Sequence, residues 1–178
     1  MPLCFIAILP PEPLKEQIRE IKEEIKKKYG AARALRLPAH ITLQPPFKIE
    51  DALVPQLHSG LKEFTDSLEP FEVHLAGFGA FPPKVLFIDV TSPEPLRKVH
   101  RQITGLLQKG HYINEEVPRE FHPHITLATR DLKKSDFRTA REDLENRTFR
   151  AHFKATGVHL FQHNGRTWDI NREFKFGQ

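Results

Sequence analysis

The chain has 178 residues, of which 39% are hydrophobic and 28% are charged, as in an ordinary globular protein of one compact domain. Lysine and arginine total 27 against 23 acidic residues, and the resulting net charge of +4 fits an anionic substrate without requiring one. The single cysteine, Cys4, excludes a disulfide framework and a cysteine-based zinc site, and no apolar run is long enough to span a membrane.

The first half of the sequence predicts strands and helices in alternation. Residues 3–9 are almost continuously apolar, which predicts a buried strand rather than a signal peptide, and we therefore expect a cytoplasmic protein. Apolar residues spaced by three and four predict a helix over 12–29 that ends before Gly30. The next predicted elements are a strand over 40–43 that QPPF stops, a helix marked by Leu57, Leu61, Phe64 and Leu68, and a hairpin of 71–81 with 84–90.

The second half repeats this order. A strand over 85–90 precedes a helix over 94–109 that Gly110 closes, and the irregular stretch 110–121 predicts a loop. The remaining predicted elements are a strand over 122–128, a helix over 133–145 and a final hairpin that turns at Asn164-Gly165. No linker separates the halves.

Three pairs of similar segments indicate an internal duplication. HITL occurs at 40–43 and again at 124–127. FIAILPPEPLKEQIREI, from residue 5, aligns with FIDVTSPEPLRKVHRQI, from residue 87, and FEVHLAGFG, from residue 71, aligns with FRAHFKATG, from residue 149. The three pairs keep the same order at nearly the same offset, so we predict a single bilobal domain with halves of about 1–84 and 85–178.

In each HITL segment, the polar and the apolar side chains are expected on opposite faces of the strand. Alternate residues of a strand point to opposite faces, so His40 and Thr42 face one way while their apolar neighbours face the core. The same holds for His124 and Thr126. If the halves pack with approximate two-fold symmetry, the polar faces meet in a cleft that contains two imidazoles and two hydroxyls.

That set of groups suits phosphodiester hydrolysis. The reaction needs a base to take a proton from water and an acid to protonate the leaving oxygen, and two histidines can supply both near pH 7. Threonine hydroxyls can donate hydrogen bonds to the nonbridging phosphate oxygens. The reaction needs no metal when an internal ribose hydroxyl leaves, as from a 2′,3′-cyclic phosphate. Which histidine is the acid stays open.

Two HxTL motifs in a duplicated chain of this size resemble the 2H phosphoesterase superfamily, which includes 2′-5′ RNA ligases and RNA cyclic phosphodiesterases. The resemblance implies an α+β fold of two pseudo-symmetric lobes, with antiparallel sheets lining a central cleft and helices outside. It implies that His40 and His124 are the catalytic acid/base pair and that Thr42 and Thr126 bind the substrate phosphate. It also implies metal-independent, cofactor-free chemistry on RNA ends or small cyclic nucleotides, and leaves reverse 2′-5′ RNA ligation open; we expect a monomer.

The chain departs from the cyclic phosphodiesterase pattern in two places. That branch usually carries an arginine five residues after the second motif histidine, where this chain has Thr129, with Arg130 one residue later. It also extends the first motif strand with an aromatic residue, whereas here QPPF intervenes and the aromatic, Phe47, follows. These departures indicate a divergent branch with its own ligand. Further candidate substrate contacts are Phe47, Lys48, His122 and Arg130.

Two other functions are compatible with parts of the sequence. A metal hydrolase could use the 10 histidines, but the motif includes no carboxylate and there is no HExxH, and activity that survives EDTA would exclude it. A non-catalytic RNA or nucleotide binding module could share the fold, and binding without turnover would identify it. Trp168 could stack on a base, although an aromatic residue on a hairpin strand is more often part of the core.

Overall fold

A computed structural model describes residues 1–113 and 120–177 as an α+β fold. The helices and strands, in chain order, are β1 (Leu3–Ile8), α1 (Leu14–Tyr29), β2 (Ile41–Lys48), α2 (Val54–Asp66), β3 (Phe71–Phe81), β4 (Val85–Val90), α3 (Glu94–Lys109), β5 (His124–Ala128), α4 (Lys134–Glu145), β6 (Arg150–Ala155), β7 (Gly157–His163) and β8 (Trp168–Lys175). Short 3-10 turns cover Arg33–Arg36 and Asp51–Leu53.

The strands form one antiparallel sheet in the order β6-β3-β4-β5-β2-β1-β7-β8. It consists of a first lobe (β2, β1, β7 and β8) and a second lobe (β5, β4, β3 and β6). The lobes join where β2 meets β5, through the single pair Ile41 and Ile125. The predicted α+β fold with two pseudo-symmetric antiparallel lobes is confirmed.

The pairing interleaves the two repeats of the sequence. β3 comes from the first repeat but pairs with β4 and β6 of the second lobe, whereas β7 and β8 return to β1 in the first lobe. The similar segments that begin at residues 71 and 149 lie side by side, with His74 opposite His152. Each lobe therefore contains strands from both repeats.

The helices cover one face of the sheet and form the main hydrophobic core with it. α1 packs under β5 and α3 packs under β2, so each helix supports the motif strand of the other repeat. α1 buries Leu14, Ile18 and Ile25 and ends at Gly30, whose φ of 71° is the left-handed conformation that glycine adopts readily. Within the described residues, no helix combines the length and the apolar character needed to cross a bilayer.

The prediction that QPPF stops the first motif strand was wrong, because β2 continues through Pro45 and Pro46 to Lys48. Proline cannot donate to a ladder, so it is confined to strand edges and bulges. β1 pairs with β2 as far as Lys48, with a register shift near Gln44, but β5 reaches only Ile41. Both prolines are exposed, and among the residues that the structure describes no strand pairs with β2 at this edge beyond Ile41.

The predicted loop over 110–121 lies partly outside the described residues, which omit 114–119. Gly110 follows α3 as expected, but its φ is −79°, so this position does not need a left-handed conformation. Its constraint is space, since a Cβ there would lie 2.1 Å from the ring of the buried Tyr112.

Candidate active site

The two HxT motifs lie side by side at the centre of the sheet. Ile41 is opposite Ile125, and both are fully buried in the main core. Their neighbours point to the other face of the sheet and are half-buried. Antiparallel pairing at this register places His40 opposite Thr126, and Thr42 opposite His124.

Each histidine is therefore next to the threonine of the other motif. The two histidines occupy diagonal positions across the strand pair, where Cα atoms are roughly 7–8 Å apart. Neither threonine hydroxyl has a hydrogen-bond partner within the part of the chain that the structure describes, so both can donate to a ligand. The junction thus presents two imidazoles and two hydroxyls to one central point.

Both imidazoles are held in the same way by the backbone. Nδ1 of His40 lies 2.8 Å from the carbonyl oxygen of Pro38, and Nδ1 of His124 lies 2.7 Å from that of His122. A carbonyl only accepts hydrogen bonds, so each Nδ1 carries a proton and donates it. Each Nε2 is left to exchange a proton with a ligand, accepting when the ring is neutral and donating when it is charged.

Phenyl rings flank both histidines in a matching pattern. The His40 ring lies 5.5 Å from that of Phe5, and the His124 ring lies 4.9 Å from that of Phe87. Phe5 and Phe87 hold the same position in the two repeats. In the first lobe, Phe5 packs with Phe161 in a small apolar cluster on the cleft face, separate from the main core. These rings exclude water from the imidazoles.

Loss of water disfavours a charged imidazole, so both pKa values fall. Burial lowers the pKa of His40 from 6.5 to about 4, and the charges of Lys22 and His124 act in the same direction against the hydrogen bond to Pro38. Burial also lowers the pKa of His124; the hydrogen bond to the His122 carbonyl opposes this lowering, the charge of His122 adds to it, and the charge of Asp89 opposes it. Burial therefore favours the neutral form of both rings, and the pKa of His40 falls to about 4.

Asp89 is a residue of the site that sequence reasoning missed. It is opposite His124 on β4 and accepts a hydrogen bond at 2.9 Å from Nε2 of His122. The sequence did contain a signal, because the apolar strand FIAI of the first repeat becomes FIDV in the second and Ala7 is replaced by Asp89. A carboxylate in an otherwise apolar strand points to a polar partner on the next strand.

Lys22 is the second residue that was missed. It is 2% exposed, and its Nζ donates to the carbonyl oxygens of Ala34 at 3.0 Å and Leu37 at 3.3 Å. Burial lowers its pKa to about 8. The spacing of Lys22 from Ile18 and Ile25 places it on the buried face of α1, which was the available sign of its burial.

Two cavities open on either side of the junction. The first, of about 270 Å³, contains His40 and Thr126, and is here called the His40 cavity. The second, of about 640 Å³, contains His124 and Thr42, and is here called the His124 cavity. Trp168, half-buried against Phe5 at 4.7 Å between ring centres, forms part of the wall of the His40 cavity.

Only one of the four further candidate contacts lies near the histidines. His122 lines the His124 cavity. Phe47 is 7% exposed and packs in the main core, and Lys48 follows it at the far end of β2. At about 3.3 Å per residue they lie roughly 25 Å along the strand from His40, because β2 continues through the prolines.

Arg130 also lies away from the site. It is exposed beyond β5 and lines neither cavity, whereas the preceding residue, Thr129, lines the His40 cavity. Both residues follow the end of β5 at Ala128, and Arg130 lies in the turn that comes after it. Across residues 1–113 and 120–177, no three His, Cys, Asp or Glu side chains are placed to hold one metal ion.

Comparisons with known proteins identify the family and the fold of this chain. The family model of the 2′-5′ RNA ligase superfamily matches residues 10–167. A protein of Geobacillus sp. (strain WCH70) that carries the provisional name of phosphoesterase is 26% identical, over 97% of this chain and 95% of its own. TT0787 of Thermus thermophilus shares the fold with a TM-score of 0.73 at 20% identity, covering 99% of this chain and 98% of its own.

LigT of E. coli, solved in complex with 3′-AMP, shares the fold with a TM-score of 0.70 at 19% identity, and each chain is covered completely. The family model spans both HxT motifs and most of the chain. The chain therefore belongs to the 2′-5′ RNA ligase superfamily of 2H phosphoesterases.

Proposed function

We propose that this protein is a metal-independent phosphodiesterase that hydrolyses 2′,3′-cyclic phosphate or 2′-5′ phosphodiester bonds in RNA ends or nucleotides. The observation that carries the proposal is the crossed arrangement at the β2–β5 junction, where His40 lies beside Thr126 and His124 beside Thr42. Membership of the superfamily and the phosphoesterase name of the Geobacillus relative agree with it.

The substrate phosphate is placed between the two histidines. In-line displacement puts the entering and leaving oxygens on opposite sides of phosphorus, so a proton acceptor and a proton donor are needed on opposite sides. The diagonal positions of His40 and His124 provide one group for each side. Thr42 and Thr126 donate hydrogen bonds to the nonbridging oxygens and stabilise the charge that develops there.

The two histidines take different roles in hydrolysis. His40, with a pKa lowered to about 4, is neutral, and its Nε2 takes a proton from the attacking water. His124 lies opposite Asp89, whose charge raises the pKa of this ring against the lowering by burial, and in its protonated form its Nε2 gives a proton to the departing ribose oxygen. Each cycle ends with His40 charged and His124 neutral, and solvent exchange restores the starting state. In 2′-5′ ligation, the reverse reaction, the roles exchange.

The His124 cavity suits the nucleoside part of such a substrate. Its wall contains Phe81, Phe121 and Pro45, and its volume of about 640 Å³ is in the range of small-molecule sites. Aromatic side chains bind bases by stacking without strong sequence preference. LigT of E. coli was crystallised with 3′-AMP, a ligand of the class that 2′,3′-cyclic phosphate hydrolysis would release.

The test is turnover, in the presence of EDTA, of nucleoside 2′,3′-cyclic phosphates, a 2′-5′-linked dinucleotide and an RNA with a 2′,3′-cyclic end. We expect hydrolysis of at least one substrate, loss of most of it in His40→Ala and His124→Ala, and full activity in His152→Ala, which removes an exposed imidazole on β6. The product isomer shows which oxygen leaves. Binding of these compounds without turnover would instead identify a nucleotide-binding module.

A further inference from the structure

The His40 cavity is strongly cationic. Besides His40 and Thr126 it is lined by Lys22, Arg33, Arg36 and Arg166, and among the described residues no aspartate or glutamate lines it. Four cations line a cavity of about 270 Å³. The reacting phosphate does not require them, because the motif histidines and threonines already contact it.

The three arginines of this cavity lack the acidic partner that five of the nine other described arginines have. Within the residues that the structure describes, Arg33, Arg36 and Arg166 have no carboxylate within ion-pair distance. By contrast, five arginines on the helices and the α4 terminus are paired with glutamates: Arg19, Arg97, Arg138, Arg141 and Arg147. Like charges gathered without a counter-charge repel one another, and an anion between them removes that cost.

The backbone of the turn that carries Arg33 and Arg36 is held from two sides. Arg33 and Arg36 belong to the 3-10 turn after α1, and Lys22 fixes that turn by donating to the carbonyl oxygens of Ala34 and Leu37. From the other side, Asp131 accepts hydrogen bonds from the backbone N–H of Ala32 at 2.8 Å and of Arg33 at 2.7 Å. The turn is therefore organised before any ligand arrives, which lowers the entropic cost of binding.

The opposite flank of the junction has a different character. Among the residues that the structure describes, the His124 cavity is lined by no lysine or arginine, and its wall includes Glu120 along with Phe81 and Phe121. The two HxT motifs are related by the duplication, but their flanks are not equivalent. The cations of the His40 cavity therefore favour a further negative charge of the substrate on that side.

We propose that the His40 cavity is a second phosphate subsite, bound by Arg33, Arg36 and Arg166. The inference rests on the proposed function and extends it: the preferred substrate carries a second phosphate besides the one that reacts between His40 and His124. Guanidinium groups match phosphate because they can donate two parallel hydrogen bonds to its oxygens. The second phosphate is either a terminal 5′-phosphate or the next phosphodiester of an RNA chain.

Binding of product-like ligands tests this subsite without requiring turnover. Calorimetry on the whole protein compares adenosine 3′-monophosphate, adenosine 3′,5′-bisphosphate and the dinucleotide ApAp, whose extra charge is a phosphodiester. We expect a second phosphate to tighten binding by roughly tenfold or more, the scale of one charge-assisted hydrogen bond. Tightening by the bisphosphate alone would identify a terminal phosphate, and tightening by ApAp would identify an RNA backbone.

Variants assign the effect to the cavity. Arg36 and Arg166 are both exposed, so their side chains can be removed without opening the core. In Arg36→Ala and Arg166→Ala, the affinity for the ligands with two phosphates should fall several-fold more than the affinity for the 3′-monophosphate. The matched control is Arg101→Ala, an exposed arginine on α3 for which no ion pair is seen within the described ranges, and it should keep the full advantage.

Equal affinities for all three ligands, no binding of any of them, or an advantage that survives the double variant Arg36→Ala/Arg166→Ala would overturn the proposal. An advantage that depends on these arginines, in a protein that hydrolyses neither the cyclic phosphates nor the 2′-5′-linked dinucleotide, would refute the proposed function and leave the subsite standing.

Discussion

A variant in which glutamine replaces His40 should lose much less stability in acid than the parental protein. The imidazole packs against Phe5 and Phe161 and donates from Nδ1 to Pro38, an environment that favours the neutral ring. Glutamine keeps an amide donor of similar length but does not titrate. The comparison therefore isolates the proton that the imidazole takes up.

The size of the effect follows from the pKa. Burial lowers the pKa of His40 from 6.5 to about 4, so between these pH values the unfolded chain binds a proton that the folded chain does not. Stability is then complete above pH 6.5 and falls as the pH drops toward 4. At about 1.4 kcal/mol per pKa unit, the lowering corresponds to about 3 kcal/mol in full and about 2 kcal/mol at pH 5.

The assay is urea unfolding at pH 7 and pH 5. We expect the parental protein to lose about 2 kcal/mol more than His40→Gln between these conditions. His124 and His159 also have pKa values lowered by burial, but both proteins retain them, so their contribution cancels. His152→Gln, which removes an exposed imidazole on β6, is the control and should follow the parental protein.

The same variants provide the refuting result. If His40→Gln loses as much stability on acidification as the parental protein, His40 is not held neutral by the fold. An NMR titration that gives His40 a pKa at or above 6.5 would refute the reasoning independently. The assignment of His40 as the base would then fail with it.

The remaining predictions concern activity on whichever cyclic phosphate is turned over. His124→Ala should lower kcat by about 10²- to 10⁴-fold while leaving cooperative unfolding intact, since the ring faces the cleft; circular dichroism melts separate lost chemistry from lost fold. Thr126→Val should lower kcat/KM by roughly 10²-fold because a donor to the phosphate is lost, whereas Thr126→Ser keeps the hydroxyl and should keep most of the activity; equal losses in both would exclude the hydroxyl as a donor. Asp89→Asn removes the charge that favours protonated His124, so the alkaline limb of the kcat/KM profile should move to lower pH, and an unmoved limb would separate Asp89 from the acid.

Much of the fold could be predicted because local patterns and tertiary packing agree. The spacing of Leu14, Ile18 and Ile25 predicts the buried face of α1, and the alternation in HITL predicts which side chains enter the core. The repeat predicted the two pseudo-symmetric lobes. The interleaving of β3, β7 and β8 could not be read from the sequence, because strand order depends on contacts between distant segments.

The site was predictable only where the duplication repeated it. Both histidines and both threonines recur in the two copies of HITL, whereas Lys22 and Asp89 have no equivalent in the other repeat. Phe47 and Lys48 were misplaced because QPPF was expected to end the strand, whereas among the described residues no strand pairs with this edge of β2 beyond Ile41, so the strand can continue through both prolines. The residues outside the motif were marked only by an unexpected residue type, such as a lysine on the apolar face of a helix.

The pH dependence of kcat/KM tests the central claim that one phosphorus is served from both sides by His40 and His124. With a cyclic phosphate substrate and EDTA present, we expect a bell whose acid limb, set by His40, lies near pH 4 and whose alkaline limb, set by His124, lies below the ordinary histidine pKa of 6.5. A bell with limbs in this order would support paired acid/base catalysis by the two imidazoles. A profile that stays flat from about pH 5 to about pH 9 would contradict it, because neither imidazole would then need to change its protonation state for the reaction to proceed.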